Sequence, residues 1–294
     1  MGHGHAHTHQ ASRRRLAVVL GLTWVFLGVE VAAGIITGSL ALLADAGHML
    51  TDVVGLVLAL AAMKLAERRP SPRRTYGYHR VEILAALTNA LALLGVAGYI
   101  LYEAWQRFQS PRAVAGTEVL VVASVGLLVN IAGALLLRSA SRSSLNVRGA
   151  YNEVLADAAS SGGVIAGALV IIATGWRWVD PTVAVAIALF VLPRTFSLLR
   201  EALQVLVEGV PREVDVAALR SAMEQVAGVK RVHDLHVWTL TSGLHALSAH
   251  AILCAGASHA EVLTALRIRV TRDFAISHVT VQLEERCCGD HTHA

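Results

Sequence analysis

Apolar residues run in long stretches from about Leu16 to Leu199, broken by short polar segments, and after Glu208 the composition becomes that of an ordinary globular domain. Six stretches, 16–37, 40–66, 80–107, 116–138, 146–174 and 179–206, reach the roughly 20 apolar helical residues that a hydrocarbon core about 30 Å thick demands. From Val214 the period changes. Ala217, Leu219, Met223 and Val226 predict a helix, Val232 to Leu240 and Leu244 to Leu253 predict strands, Val262, Leu266 and Val270 a second helix, and Val279, Val281 and Leu283 a third strand. The expected architecture is six transmembrane helices (16–207) followed by a small α+β domain (208–286). A flexible His-rich start (1–15) and a Cys/His tail (287–294) flank them.

Charge decides sidedness. Arg13, Arg14 and Arg15, Lys64 with Arg68, Arg69, Arg73, Arg74 and Arg80, and Arg138, Arg142 and Arg148 fall on one side, against Arg107, Arg112 and Arg177 on the other. The positive-inside bias then places both termini in the cytoplasm. Tyr99, Tyr102, Trp105, Trp176 and Trp178 fit an aromatic belt at the outer interface. The basic triplet before the first span resembles the start of a signal peptide, but Glu30 interrupts the run and five further spans follow. Composition agrees with a membrane chain: 55% of the 294 residues are apolar and 16% charged, with a mean hydropathy of +0.56. The net charge of +4 borders the apolar runs and forms no block between aromatics, which argues against nucleic acid. Three cysteines in so long a chain make no disulfide framework, and Cys254, Cys287 and Cys288 all lie in the polar part, on a reducing side. Cys254 falls in an apolar strand and is expected in the core.

The chemistry is carried by ionisable residues inside apolar spans. His48 and Asp52 are one helical turn apart in the second span, and Glu153 and Asp157 repeat the spacing in the fifth. Each such group costs a few kcal/mol near the bilayer centre unless it is paired or hydrated. With no Lys or Arg expected near the middle of any span, a divalent cation is the natural compensation, and one imidazole with three carboxylates suits zinc. Packing or helix–helix hydrogen bonding would explain one such pair better than two. Asp45 suits an exit path and a helix start equally. Glu30, Asn89 and Asn130 suit interhelical hydrogen bonds, and Gly163 and Gly167 the close approach of a neighbouring helix. The alternating histidines of MGHGHAHTHQ form either a weak metal-holding tract or an inert polar tail.

The chain resembles the cation diffusion facilitators, exporters of zinc and related divalent metals. The resemblance rests on GSLALLADAGHMLTD (38–52), TYGYHRVEILAALTN (75–89), NVRGAYNEVLADAASSGGV (146–164), Asp180-Pro181 and VHDLHVWTLTSG (232–243). It implies a homodimer of six-helix subunits, a cytosolic ferredoxin-like, metallochaperone-like domain, and metal-for-proton exchange by alternating access. The transport site it implies is His48, Asp52, Glu153 and Asp157. A regulatory site is implied at His233, His250 and Glu284, to which Cys287 and Cys288, followed by His291 and His293, would add soft ligands; an incidental thiol pair fits the tail as well. His236 and Trp238 suit an interface or the core. Zinc-selective members commonly carry His where this chain has Glu153, and the harder donor widens the expected range to cadmium, cobalt, iron and manganese.

Proton-coupled export of a divalent metal across a bacterial cytoplasmic membrane is therefore the expected function, with zinc as substrate and as regulatory ligand. An intramembrane metallohydrolase would want an open coordination position and a separate general base, and HExxH is absent. A membrane-anchored sensor leaves the intramembrane ligands unexplained, and a primary pump would need a phosphate loop that the chain lacks.

Overall fold

The computed structural model describes residues 4–138 and 145–285. Among the described residues eight helices and three strands follow one another as α1 (Gly4–Thr37), α2 (Leu40–Ala66), α3 (Arg80–Gln109), α4 (Gly116–Arg138), α5 (Leu145–Thr174), α6 (Val179–Leu206), α7 (Val216–Glu224), β1 (Val229–Thr241), β2 (Leu244–Leu253), α8 (His259–Phe274) and β3 (His278–Glu284). The first six are long and apolar enough to cross a membrane, and only 24–33% of their most apolar windows is buried within the chain. So much outward apolar surface is stable in lipid and not in water. The stretch expected to be a flexible tail is helical from Gly4 onward. Once the apolar span has nucleated a helix, adding residues such as Ala6, Gln10 and Ala11 costs little.

The described residues form two compact units, one within 1–57 and 89–197, the other within 58–88 and 198–294. In the first, Leu40, Leu42 and Ala44 of α2 pack with Ala97, Ile100 and Ala104 of α3, Val119 and Ala123 of α4, Val164 and Ala168 of α5, and Ala184, Ile187 and Ala188 of α6. Small residues dominate this core because without water the helices gain chiefly from close backbone approach. Gly167 meets the expectation of close approach, since a Cβ there would lie 2.8 Å from Val183 Cγ2. Gly163 does not, as no atom lies within 4 Å of its would-be Cβ.

The turn into α2 is fixed by a polar knot. Gly38 adopts φ +69°, a left-handed conformation that suits glycine. Asp180, in the first turn of α6, accepts hydrogen bonds from Ser39 Oγ (2.6 Å), Leu40 N (2.8 Å) and Ala41 N (3.2 Å). Arg107 completes the knot, its Nη1 lying 3.2 Å from Asp180 Oδ2 and donating to the Gly38 carbonyl at 2.5 Å. Ser39, at the N-cap of α2, serves the Leu42 amide through its own Oγ at 3.2 Å, and a carboxylate from another helix serves the amides of Leu40 and Ala41.

In the second unit β1 pairs antiparallel with β2, and β2 pairs parallel with β3 after the α8 crossover, in the order β1-β2-β3. Leu219 and Met223 of α7, Val262, Leu266 and Val270 of α8, and Val232, Val237, Leu247, Ala249 and Ala251 of the sheet form its core. Asp215 caps α7 through the amides of Ala217 and Ala218. In the same unit Ser242 Oγ donates to Glu82 at 2.9 Å, Thr241 also bonds Glu82, and Arg80 pairs with Glu208 at 2.7 Å. Cys254 is not a core residue. It follows the last residue of β2 and is exposed, its amide bonded to the Gly228 carbonyl.

Candidate metal centre

The helical spacing that puts His48 and Asp52 on one face of α2, and Glu153 and Asp157 on one face of α5, turns both faces to the same point. His48 Nε2 lies 3.4 Å from Asp52 Oδ2, 3.8 Å from Asp157 Oδ1 and 4.0 Å from Glu153 Oε1. Donor atoms of His48, Glu153 and Asp157 all fall within 4.8 Å of one another, while Asp52 adjoins the group through His48. His48 and Asp157 are buried; Asp52 and Glu153 are partly exposed. His48 Nδ1 and Asp157 Oδ1 are buried without a hydrogen-bond partner. Buried polar atoms of that kind are costly unless something else satisfies them, and one imidazole nitrogen with carboxylate oxygens is a donor set that zinc and its neighbours accept.

One expectation fails at this site. Arg194 of α6 reaches it: Nη1 lies 2.7 Å from Glu153 Oε1 and 2.6 Å from Oε2. The expectation that no Lys or Arg stands near the middle of a span fails on the sequence itself, because Arg194 lies near the middle of the stretch 179–206. One clue was available, since Arg194 follows Pro193, a residue that breaks the helical hydrogen-bond ladder.

A second polar layer lies one turn from His48. Asp45 is 1% exposed and accepts from Ser160 Oγ at 2.5 Å, and Glu30 is also 1% exposed; Asp45 Oδ2 and Glu30 Oε2 are buried without a hydrogen-bond partner. Asp45 is therefore no helix-start residue: it lies beyond the first turn of α2, whose amides are served by Ser39 and Asp180. Asn130 makes the expected interhelical contact, to Ser161 at 3.5 Å. Asn89 instead packs against Gly55, and its Oδ1 has no hydrogen-bond partner.

On the sheet, His233 and His250 are register partners on β1 and β2, with ring centroids 5.3 Å apart. Glu284, at the end of β3, spans them: Oε2 lies 3.1 Å from His233 Nε2 and Oε1 2.8 Å from His250 Nδ1. Asp234 joins the cluster unannounced by the sequence pattern, 3.8 Å from His250 Nε2 and 2.9 Å from His236 Nε2. Its φ of +49° sits at the register shift between His233 and His236, and the irregularity turns the carboxylate toward the histidines. His236 is exposed and Trp238 half-buried, both lining a cavity of about 800 Å³ and neither a core residue. Cys287, Cys288, His291 and His293 lie outside the described residues.

Residues 16–207 match the family model of the cation efflux transmembrane domain, and residues 211–286 that of the cation efflux protein cytoplasmic domain. The chain belongs to the cation diffusion facilitator family. It is a multi-pass membrane protein of a family of metal-cation efflux transporters, not of enzymes, and the hydrolase reading falls. Among its relatives in that family is the metal cation efflux system protein CzcD of Cupriavidus metallidurans, 49% identical over 98% of this chain and 92% of that one. The cadmium, cobalt and zinc/H(+)-K(+) antiporter of Bacillus subtilis is 38% identical over 99% of this chain and 94% of its own length. The metal-bound C-terminal domain of the Cupriavidus CzcD transporter has been solved; it aligns with 24% of this chain and 99% of its own at 39% identity, with a TM-score of 0.23.

Proposed function

We propose that the protein exports divalent metal ions, zinc foremost, from the cytoplasm in exchange for protons, through His48, Asp52, Glu153 and Asp157. The observation that carries this reading is one imidazole nitrogen within 4.0 Å of carboxylate oxygens from three residues on two apolar helices. Each of these donors binds a metal only when deprotonated, so metal and protons compete for the same atoms. Protons arriving from the acidic side then expel the ion, and the deprotonated site reloads from the cytoplasm. The range in the name of the Bacillus relative, cadmium, cobalt and zinc against H⁺ and K⁺, suits a set with three carboxylates and one imidazole.

His233, His250 and Glu284 form a second, cytosolic metal site of regulatory character, with Asp234 at its edge. The cytoplasmic-domain match and the small size of the α+β unit support a homodimer in a bacterial cytoplasmic membrane with both termini inside.

The test is metal flux by purified protein in vesicles with an imposed pH gradient, offering zinc, cadmium, cobalt, iron and manganese side by side. Zinc uptake into vesicles acidic inside, with alkalinisation of a lightly buffered lumen, is the expected result. Flux without proton movement would leave a uniporter, and no flux of any metal would overturn the reading.

A further inference from the structure

We infer that Arg194 is an affinity-setting residue of the transport site, a tethered cation that competes with the metal for the Glu153 carboxylate and sets how tightly divalent ions are held. The inference rests on the reading of His48, Asp52, Glu153 and Asp157 as the transport site.

The oxygens decide the matter. Glu153 Oε1 is the atom that faces His48 Nε2 at 4.0 Å, and the same atom accepts from Arg194 Nη1 at 2.7 Å. The other oxygen, Oε2, lies 2.6 Å from the same nitrogen. A metal that takes Glu153 as a ligand must therefore draw the carboxylate away from the guanidinium or share it, and either course weakens binding. Among the described residues no other Lys or Arg forms an ion pair with any of the four site residues.

Charge points the same way. With Asp52, Glu153 and Asp157 ionised the donor set carries three negative charges, and the permanently charged guanidinium reduces them to two, which a divalent ion neutralises. Without Arg194 the excess charge would hold any divalent ion more tightly and release it more slowly.

The position also allows the guanidinium to leave. The Arg194 side chain is 66% exposed, against 24% for Glu153. Pro193 precedes it within α6 and lacks the amide that would bond the Leu189 carbonyl, so the helix is least braced at this turn. A helix loosened beside an exposed cation suits a residue that alternates between holding Glu153 and yielding it.

The experiment measures zinc and manganese transport by the full-length protein in vesicles, with Asp157→Ala in parallel. Arg194→Gln is expected to lower KM about tenfold for both metals and to lower the maximal rate as well, because tighter binding slows release. Arg194→Lys, which keeps the charge, should return KM toward the wild-type value. On a Glu153→Gln background the Arg194→Gln change should leave KM where it was. A KM for Arg194→Gln that is unchanged or raised, or an equal effect with and without Glu153, overturns the inference while the transport site stands if Asp157→Ala is inactive. Wild-type transport by Asp157→Ala would overturn the site itself.

Discussion

The intramembrane cluster and the sheet cluster use the same donors, imidazole and carboxylate, yet they are built on opposite principles. On α2 and α5 a one-turn spacing sets the donors, every ligand comes from an apolar helix, and a cation from a third helix already balances part of the charge. On the sheet, register sets the donors: His233 and His250 face each other across β1 and β2, and one carboxylate at the end of β3 spans both. The first arrangement would change if the helices slid or tilted, as the proposed exchange of metal for protons would require. The second is locked by strand pairing, as suits a site that senses or holds an ion rather than passing it on.

The largest expected effect breaks the comparison at the mobile site. Asp157→Ala removes the most buried of the three carboxylates and should reduce zinc flux in vesicles by about 100-fold or more, above the loss seen when a merely supporting partner of a metal ligand is removed. Folding should survive, since an uncompensated buried charge leaves with the side chain. Flux within a few-fold of wild type would mean that the two helices do not share an ion.

A middle-sized effect sharpens the comparison from the other side. Placing Glu284→Gln on the Asp157→Ala background leaves the sheet site as the one under study. The zinc-induced rise in Tm of the full-length protein should then shrink by the equivalent of about tenfold in affinity, about 1.4 kcal/mol. With Asp157 intact, Glu284→Gln should lower transport only about twofold, in keeping with a 1–3 kcal/mol coupling between separate sites when only part of it is lost. Loss of all flux in that variant would make the sheet site part of the conduction path.

Smallest is a shift in preference. Glu153→His keeps the one-turn spacing above Asp157, exchanges a hard donor for a softer one, and should raise the zinc-to-manganese rate ratio about three- to tenfold in competition assays. It also removes the partner of Arg194, so a ratio that moves less than this would show that the freed guanidinium offsets the gain.

The six spans, the order of helices and strands after Val214, and both pairs of one-turn donors were legible because each rests on periodicity within a short window. What escaped depends on distance along the chain. Arg194 meets Glu153 across 41 positions and Asp180 meets Leu40 across 140, and no local pattern reports such a meeting. Asp180-Pro181 stood out as a motif, but its task, capping another helix, needs three dimensions. Asp234 was hidden for a different reason: strict alternation along β1 assigns it a direction that the register shift overrides. Gly163 shows the opposite error, a small residue at a suggestive interval with no neighbour to accommodate.

The knot at Asp180 has a consequence for how the chain is made. The amides of Leu40 and Ala41 emerge from the ribosome 140 and 139 residues before the carboxylate that receives them. At about 5–20 residues per second, that interval is on the order of ten seconds or more. Throughout it the amides of Leu40 and Ala41 lack their carboxylate, the first turn of the second span is capped by Ser39 alone, and Arg107 has Glu103 of its own helix but not Asp180. The bundle can therefore close only when the sixth span arrives, and a nascent chain that stops before Asp180 holds five inserted helices and an unfinished transport pathway.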